Sequence, residues 1–164
     1  MAAADREGIP LYSVAQLVTA ATAAPQRRPT GAAPVAPQAG AAGRVAVVDN
    51  DHSVCYCVHR VLAYAGFAAE TYTSASAFLE ARAWQRCDLL ITDMEMPGMT
   101  GLQLLAHLTE QGASIPVLVL TGSHGQELRD EVLAAGARSF MEKPFDVREL
   151  IAEVKTLSRA GAVR

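Results

Sequence analysis

From Arg44 onward, short apolar runs alternate with longer stretches in which apolar positions recur every three or four residues. "RVAVVD" is an apolar run of strand length. "SVCYCVHRVLAYAG" places Val54, Val58, Val61, Leu62 and Ala65 on one helical face and stops at Gly66. "AAETYTS" predicts a weaker, partly polar strand, and "SASAFLEARAW" a short helix. "DLLITD" is an unbroken apolar run, as in a strand buried on both faces. "TGLQLLAHLTEQG" opens with Thr100 three residues before Gln103, a capping box, and closes on Gly112. "IPVLVLTG" is a second fully apolar strand. "GQELRDEVLAAGA" predicts a helix with Leu128, Val132 and Ala135 on one face, "SFMEKP" a last strand, and "DVRELIAEVKTLSR" a helix with Asp146 three residues before Glu149, a second capping box.

Strict alternation of strands and helices predicts an α/β fold with a parallel sheet covered on both faces. The polar second strand belongs at an edge and the three most apolar strands in the centre. A doubly wound five-stranded parallel sheet of order 2-1-3-4-5 satisfies both conditions.

Upstream of Arg44 the pattern is lost. Five of the eight prolines fall before Gly40, within alanine-rich sequence that buries too little apolar surface to fold. Leu11, Val14 and Val18 share one helical face behind Pro10, and a nascent helix in a flexible tail is the simpler reading. Residues 1–43 are therefore expected to form a tail, residues 44–159 the folded domain, and residues 160–164 a short C-terminal tail. Asp5 and Glu7 outweigh Arg6, against the positive start of a secretory signal.

Of 164 residues, 51 % are hydrophobic, enough for one well-filled core, and the net charge of −3 predicts neither a nucleic-acid surface nor a polybasic membrane patch. Cys55, Cys57 and Cys87 are odd in number and form no zinc spacing, so reduced, partly buried thiols and a cytoplasmic location are expected.

Ligands of open parallel sheets bind beyond the carboxyl ends of the strands. Those ends read Asp49, Asn50 and Asp51 after the first strand, Asp93 after the third, Thr121 and Gly122 after the fourth, and Lys143 and Pro144 after the fifth. Oxygen ligands of this kind suit Mg2+, a hydroxyl and an ammonium suit a phosphoryl group, and Asp93 is placed to be a nucleophile.

In "VVDND", "ITDMEMPGMTGLQLL", "VLVLTG" and "SFMEKPF", taken in this order, the sequence resembles the receiver domain of two-component response regulators, closest to receivers of the nitrogen-fixation type. The resemblance covers about Arg44 to Arg159. It implies the flavodoxin-like (CheY-like) fold, Asp93 as phosphoacceptor, and Asp49, Asn50, Asp93 and the Glu95 carbonyl around Mg2+. It further implies Thr121 and Lys143 as phosphoryl contacts, a cis Lys143–Pro144 bond, and Phe140 as an aromatic that turns inward on activation. The partners it implies are a histidine kinase or phosphotransfer protein and an unidentified downstream protein, engaged through the last two helices and the strand between them. A phosphorylation-dependent dimer is compatible with it, and catalysis of turnover is not part of it.

Two features depart from the family. The second acid of the first strand is Asn50, neutral and a poorer metal ligand, although the Glu95 side chain places an acid nearby. No DNA-binding segment follows the last helix, which gives the expectation of a stand-alone regulator. Two other readings remain. Asn50 would weaken the metal site enough in a phosphorylation-independent interaction module. "VVDNDHS" also fits the opening of haloacid-dehalogenase-type phosphatases, with Asp49 as nucleophile, although no acidic pair follows Lys143.

Overall fold

The computed structural model describes residues 42–123 and 125–161. The Leu11–Val18 stretch, the Pro/Ala-rich segment and His124 lie outside the described residues. The elements are β1 (Arg44–Val48), α1 (His52–Tyr64), β2 (Ala68–Tyr72), α2 (Ala75–Glu80), β3 (Leu89–Asp93), α3 (Gly101–Glu110), β4 (Val117–Thr121), α4 (Gln126–Ala134), β5 (Ser139–Glu142) and α5 (Val147–Gly161). The sheet is parallel throughout, in the order β2-β1-β3-β4-β5. The doubly wound order expected from strand polarity is the observed one.

Alternation along the pleat divides the core into two layers. Val45, Val47, Leu89, Ile91, Leu118 and Leu120 pack with residues of α1 and α5. Ala46, Val48, Leu90, Val117 and Val119 pack on the opposite face with residues of α2, α3 and α4. The buried strands read as continuous apolar runs because each face has its own helices. β2 and β5 are only half-buried, as edge strands are. On α5, Leu150, Ile151, Val154 and Leu157 form the buried stripe, each contributing about 1.5–3 kcal/mol of transfer free energy when fully buried.

Local sequence explains most of the ends. Thr100 and Gln103 form the expected reciprocal capping box of α3. The Asp51 carboxylate accepts the Ser53 amide at 2.7 Å and caps α1. At α5 the expected box is replaced by a shorter-range cap: Asp146 Oδ1 accepts the amide of Arg148 at 2.7 Å, not that of Glu149.

The helix expected through "SASAFLEARAW" is broken. α2 stops at Glu80, Arg82 takes a left-handed φ of 47°, and Ala83–Gln85 form a 3-10 turn. The break turns Ala83 into the core and brings Trp84 within 6.3 Å of the Phe78 ring. Core packing outweighs the roughly 1–2 kcal/mol cost of one left-handed residue.

The domain also extends slightly beyond the expected limits. The Ala42 amide donates to the Gly66 carbonyl at 2.9 Å, and α5 reaches Gly161. Among the described residues no helix is long and apolar enough to cross a membrane.

Candidate functional site

The site lies at the carboxyl end of the sheet, where the strand order reverses between β1 and β3. Asp49 follows β1 directly, Asp93 and Thr121 are the last residues of β3 and β4, and Lys143 follows β5. Registered parallel strands thus bring four residues scattered over the sequence to one rim. Asp49, Asp93 and Thr121 are 2 %, 6 % and 0 % exposed and, with Thr92, are the buried polar residues among those described.

Lys143 joins the two carboxylates. Its Nζ donates to Asp49 Oδ2 and to Asp93 Oδ1, each at 2.7 Å. Its backbone amide donates to the Thr121 carbonyl at 2.6 Å, which fixes the end of β5 against β4. The second oxygen of Asp49 accepts the Asp51 amide at 2.8 Å. The Glu95 backbone works to lower the Asp93 pKa. The Lys143–Pro144 bond is cis, as the family resemblance implies.

Burial pushes the Asp93 carboxyl up from its ordinary value, and the hydrogen bond and charge of Lys143 only partly offset this; the neighbouring Asp49 adds to the rise. For Lys143, burial works against the ammonium, but the bonds to Asp49 and Asp93 outweigh it and raise its pKa. One ammonium faces two buried carboxylates, so the cluster retains a net negative charge.

That charge, with oxygen donors, fits Mg2+. Among the described residues no group of three His, Cys, Asp or Glu side chains forms a cage. An ion would therefore take one or two carboxylates and keep several waters, the usual mode of Mg2+. Asp49 and Asp93 are the carboxylates available.

The other expected ligands stand differently. Asn50 adjoins Asp49 but is exposed. Glu95 is exposed and its carboxylate is engaged elsewhere: Oε1 accepts the hydroxyl proton of Ser123. In this arrangement the carboxylate that was expected to add an acid beside the metal is bonded to Ser123. The carbonyl of Glu95 is a separate group and remains a candidate. Phe140 is half-buried and packs against the core layer of α2, α3 and α4.

Several contacts that matter here were not foreseen from sequence, although Cys55 was expected to be a reduced, partly buried thiol and is a free, buried one. The Ser123 amide donates to Thr121 Oγ1 at 3.0 Å. Cys55 donates its thiol to the Asp49 carbonyl at 3.2 Å, and burial holds that thiol at about 12. It is a packed donor beneath the site and not a nucleophile. Gly101 passes so close to β3 that a Cβ there would lie 2.5 Å from the Asp93 carbonyl oxygen. The "TG" at Thr100–Gly101 was legible as a helix start, but the close approach depends on tertiary packing.

Comparison with known proteins agrees with this geometry. Residues 45–155 match the family model described as the response regulator receiver domain. The chain is 40 % identical over 111 residues to the transcriptional regulatory protein FixJ of Azorhizobium caulinodans, covering 68 % of this chain and 53 % of that protein. It is 35 % identical over 113 residues to the DNA-binding transcriptional regulator NtrC of Escherichia coli, covering 69 % and 24 %. The chain thus spans about half the length of one of these relatives and about a quarter of the other. Full-length FixJ from B. japonicum superposes with a TM-score of 0.70 at 30 % identity, covering 75 % of this chain and 61 % of that one. The chemotaxis protein CheY4 of Vibrio cholerae superposes with a TM-score of 0.65 at 29 % identity, covering 70 % and 97 %. With its sheet order, its rim of strand-end residues and these matches in accord, the chain belongs to the response regulator receiver domain family.

Proposed function

We propose that Asp93 accepts a phosphoryl group from a histidine kinase or phosphotransfer protein, and that the resulting acyl phosphate switches the domain between two conformations. A carboxylate oxygen of Asp93 attacks phosphorus, the bond from phosphorus to the donor nitrogen breaks, and the phosphoryl group ends on Asp93 as a mixed anhydride. Lys143 moves one of its hydrogen bonds from the carboxylates to a phosphoryl oxygen, and the Thr121 hydroxyl donates to another. Asp49, Asp93, Asn50 and the Glu95 carbonyl are the groups proposed to hold Mg2+. When bound, the ion offsets negative charge on the transferring oxygens.

The observation that carries this reading is the single ammonium shared by the carboxylates ending β1 and β3. It partly offsets the burial that works against the charged nucleophile and is placed to follow the charge onto phosphate. The output is proposed to pass to a protein partner through α4, β5 and α5, in keeping with the net charge of −3. The domain is proposed as a switch and not a turnover enzyme.

The test is mass spectrometry after incubation with acetyl phosphate and Mg2+. One phosphoryl adduct is expected at Asp93, labile to base and absent from Asp93→Ala. An adduct on Asp49 that survives this substitution would favour the dehalogenase-type reading. Asn50, neutral and exposed, favours a second reading, an interaction module that works without phosphate. Absence of any adduct at high Mg2+, in this chain and in Asn50→Asp alike, would establish it over the first.

A further inference from the structure

α1 buries Cys55, Cys57, Val58, Val61 and Leu62 on the side that faces the sheet. On its other side His52, Tyr56, Arg60 and Tyr64 recur every four residues, and all four are exposed. Tyr56 and Tyr64 are 56 % and 59 % exposed; among the described residues, the other large apolar side chain left to solvent is Leu133 of α4, at 37 %. Both tyrosines thus stand on one face of one helix, about 12 Å apart along its axis, with the Arg60 guanidinium between them. α1 contains no Asp or Glu, so nothing on the helix itself offsets that charge.

The chain enters the fold at the foot of this same helix. The Ala42 amide donates to the Gly66 carbonyl at 2.9 Å, and the Gly43 carbonyl accepts the Ala68 amide at 2.9 Å. Everything upstream is therefore tethered two positions past Tyr64. Upstream, Pro10 leads into Leu11, Val14 and Val18, which share one helical face. From Leu11 to Val18 a helix rises about 10 Å, close to the separation of the two tyrosines. A helix this short is marginal in water and needs a surface to pack against. Asp5 and Glu7 precede it and are opposite in sign to Arg60. A linker the length of residues 19–41 spans roughly 25 Å as a coil and roughly 70 Å if its prolines extend it, whereas α1 is about 20 Å long. Such a tether holds the segment near α1 at an effective concentration on the order of millimolar, enough to populate a weak contact.

We infer that the Tyr56–Arg60–Tyr64 face of α1 is a docking surface for this chain's own Leu11–Val18 segment. Leu11, Val14 and Val18 pack on the two rings, and Asp5 and Glu7 come within reach of Arg60. The contact stands apart from the phosphoacceptor reading, since none of these residues belongs to the rim.

The experiment is amide hydrogen exchange and NMR on the full chain. In the unaltered chain the amides of residues 11–18 should exchange about tenfold or more slowly than in a coil, which corresponds to a docking free energy of about 1.4 kcal/mol. Val14→Asp should return them to the coil rate. It should also move the backbone signals of Tyr56, Arg60 and Tyr64 and leave those of α3 and α4 in place. Replacing Tyr56 and Tyr64 together by serine should release the segment equally, while β1, β3 and β4 keep their protection. Val14→Asp alters no residue of the folded domain, so it decides the matter even if the tyrosine variant loses stability. Coil-like exchange of residues 11–18 in the unaltered chain overturns the proposal, as does protection that survives loss of both tyrosines. Signals that move instead at Met99, Gln103 and His107, in the groove between α2 and α3, place the segment there and overturn the assignment to α1. Protection that rises with protein concentration means that the segment docks on a second copy, and overturns the contact within one chain.

Discussion

Lys143 Nζ lies 2.7 Å from Asp93 Oδ1, across fifty positions of sequence, and at the same distance from Asp49 Oδ2. The ammonium therefore draws on the same two carboxylates that a metal ion at this rim would need. Two opposed effects follow for Lys143→Met. Loss of the ammonium leaves two buried carboxylates facing each other. Breaking a buried pair costs about 3–5 kcal/mol, and the lysine side chain is 23 % exposed, so a loss of about 1–3 kcal/mol in urea denaturation is expected. Mg2+ should bind more tightly, since no ammonium competes, while phosphorylation becomes much slower. Weaker Mg2+ binding in Lys143→Met would show that the lysine organises the carboxylates for the ion instead of competing with it.

Asn50→Asp should act in the same direction on metal binding through a different cause. It adds a unit charge beside Asp49 at the end of β1. Two unit charges about 4 Å apart interact by about 4 kcal/mol at an effective dielectric near 20, most of which desolvation of the added carboxylate cancels. A residue of about 1.4 kcal/mol is still tenfold in affinity. Tenfold or tighter Mg2+ binding and faster phosphorylation by acetyl phosphate are expected. Identical titrations of the two proteins would remove position 50 from the metal's surroundings.

Gly101 is the first residue of α3, and a Cβ there would fall 2.5 Å from the Asp93 carbonyl oxygen and 3.1 Å from the Met94 Cα. Both neighbours are backbone, so neither can rotate aside. Gly101→Ala is expected to cost about 1–3 kcal/mol, the usual range for overpacking, even though alanine favours a helix. Because the strain falls on the carbonyl of Asp93 itself, phosphorylation should slow along with the loss of stability. A variant as stable as the unaltered chain, by thermal melting, would show that α3 can shift at no cost.

How far the sequence foretold these features follows from the range of the forces involved. Strand order was legible because polarity is a property of each segment: the Glu70-containing strand could only be an edge, and the unbroken runs at Leu89–Ile91 and Val117–Leu120 could only be central. The rim was legible because a parallel sheet places every strand's carboxyl end on one side, so Asp49, Asp93, Thr121 and Lys143 had to converge. What was not legible depends on contacts between distant loops. The engagement of Glu95 with Ser123 needs the β4–α4 loop to fold over β3, and no local pattern announces it. The break at Arg82 was hidden because "SASAFLEARAW" has good helical propensity throughout, and only the core's demand for Ala83 and Trp84 interrupts it.

At the edge of the sheet, Glu70 offers a test by pH. Its Oε2 accepts from the Tyr72 hydroxyl at 2.6 Å and from Arg86 Nη2 at 2.9 Å, while Arg86 Nη1 donates to the Ala81 carbonyl at 2.6 Å. The cluster ties β2 to the turn that follows α2. Burial alone would raise the Glu70 carboxyl, but the Tyr72 and Arg86 hydrogen bonds and the guanidinium charge outweigh it, and its pKa falls below the ordinary 4.5. A carboxyl whose folded value is depressed stabilises the fold above its unfolded pKa and loses that contribution as pH falls through the folded value. The pair is partly exposed, with side chains 39 % and 30 % accessible, so the contribution is screened and is put at about 0.5–1 kcal/mol near neutral pH. Glu70→Gln should therefore melt at a lower temperature than the unaltered chain near neutrality. The gap should narrow as pH falls through 4.5 and close at still lower pH. The Tyr72 phenol gives a second readout: burial first, then the bond to Glu70 and its charge, push it up to about 12. In Glu70→Gln the burial contribution remains and the carboxylate's is lost, so spectrophotometric titration should find the phenol ionising at lower pH, still above its ordinary value. A melting gap that stays constant from neutral pH into the acid range would mean that Glu70 contributes by packing and not by its charge.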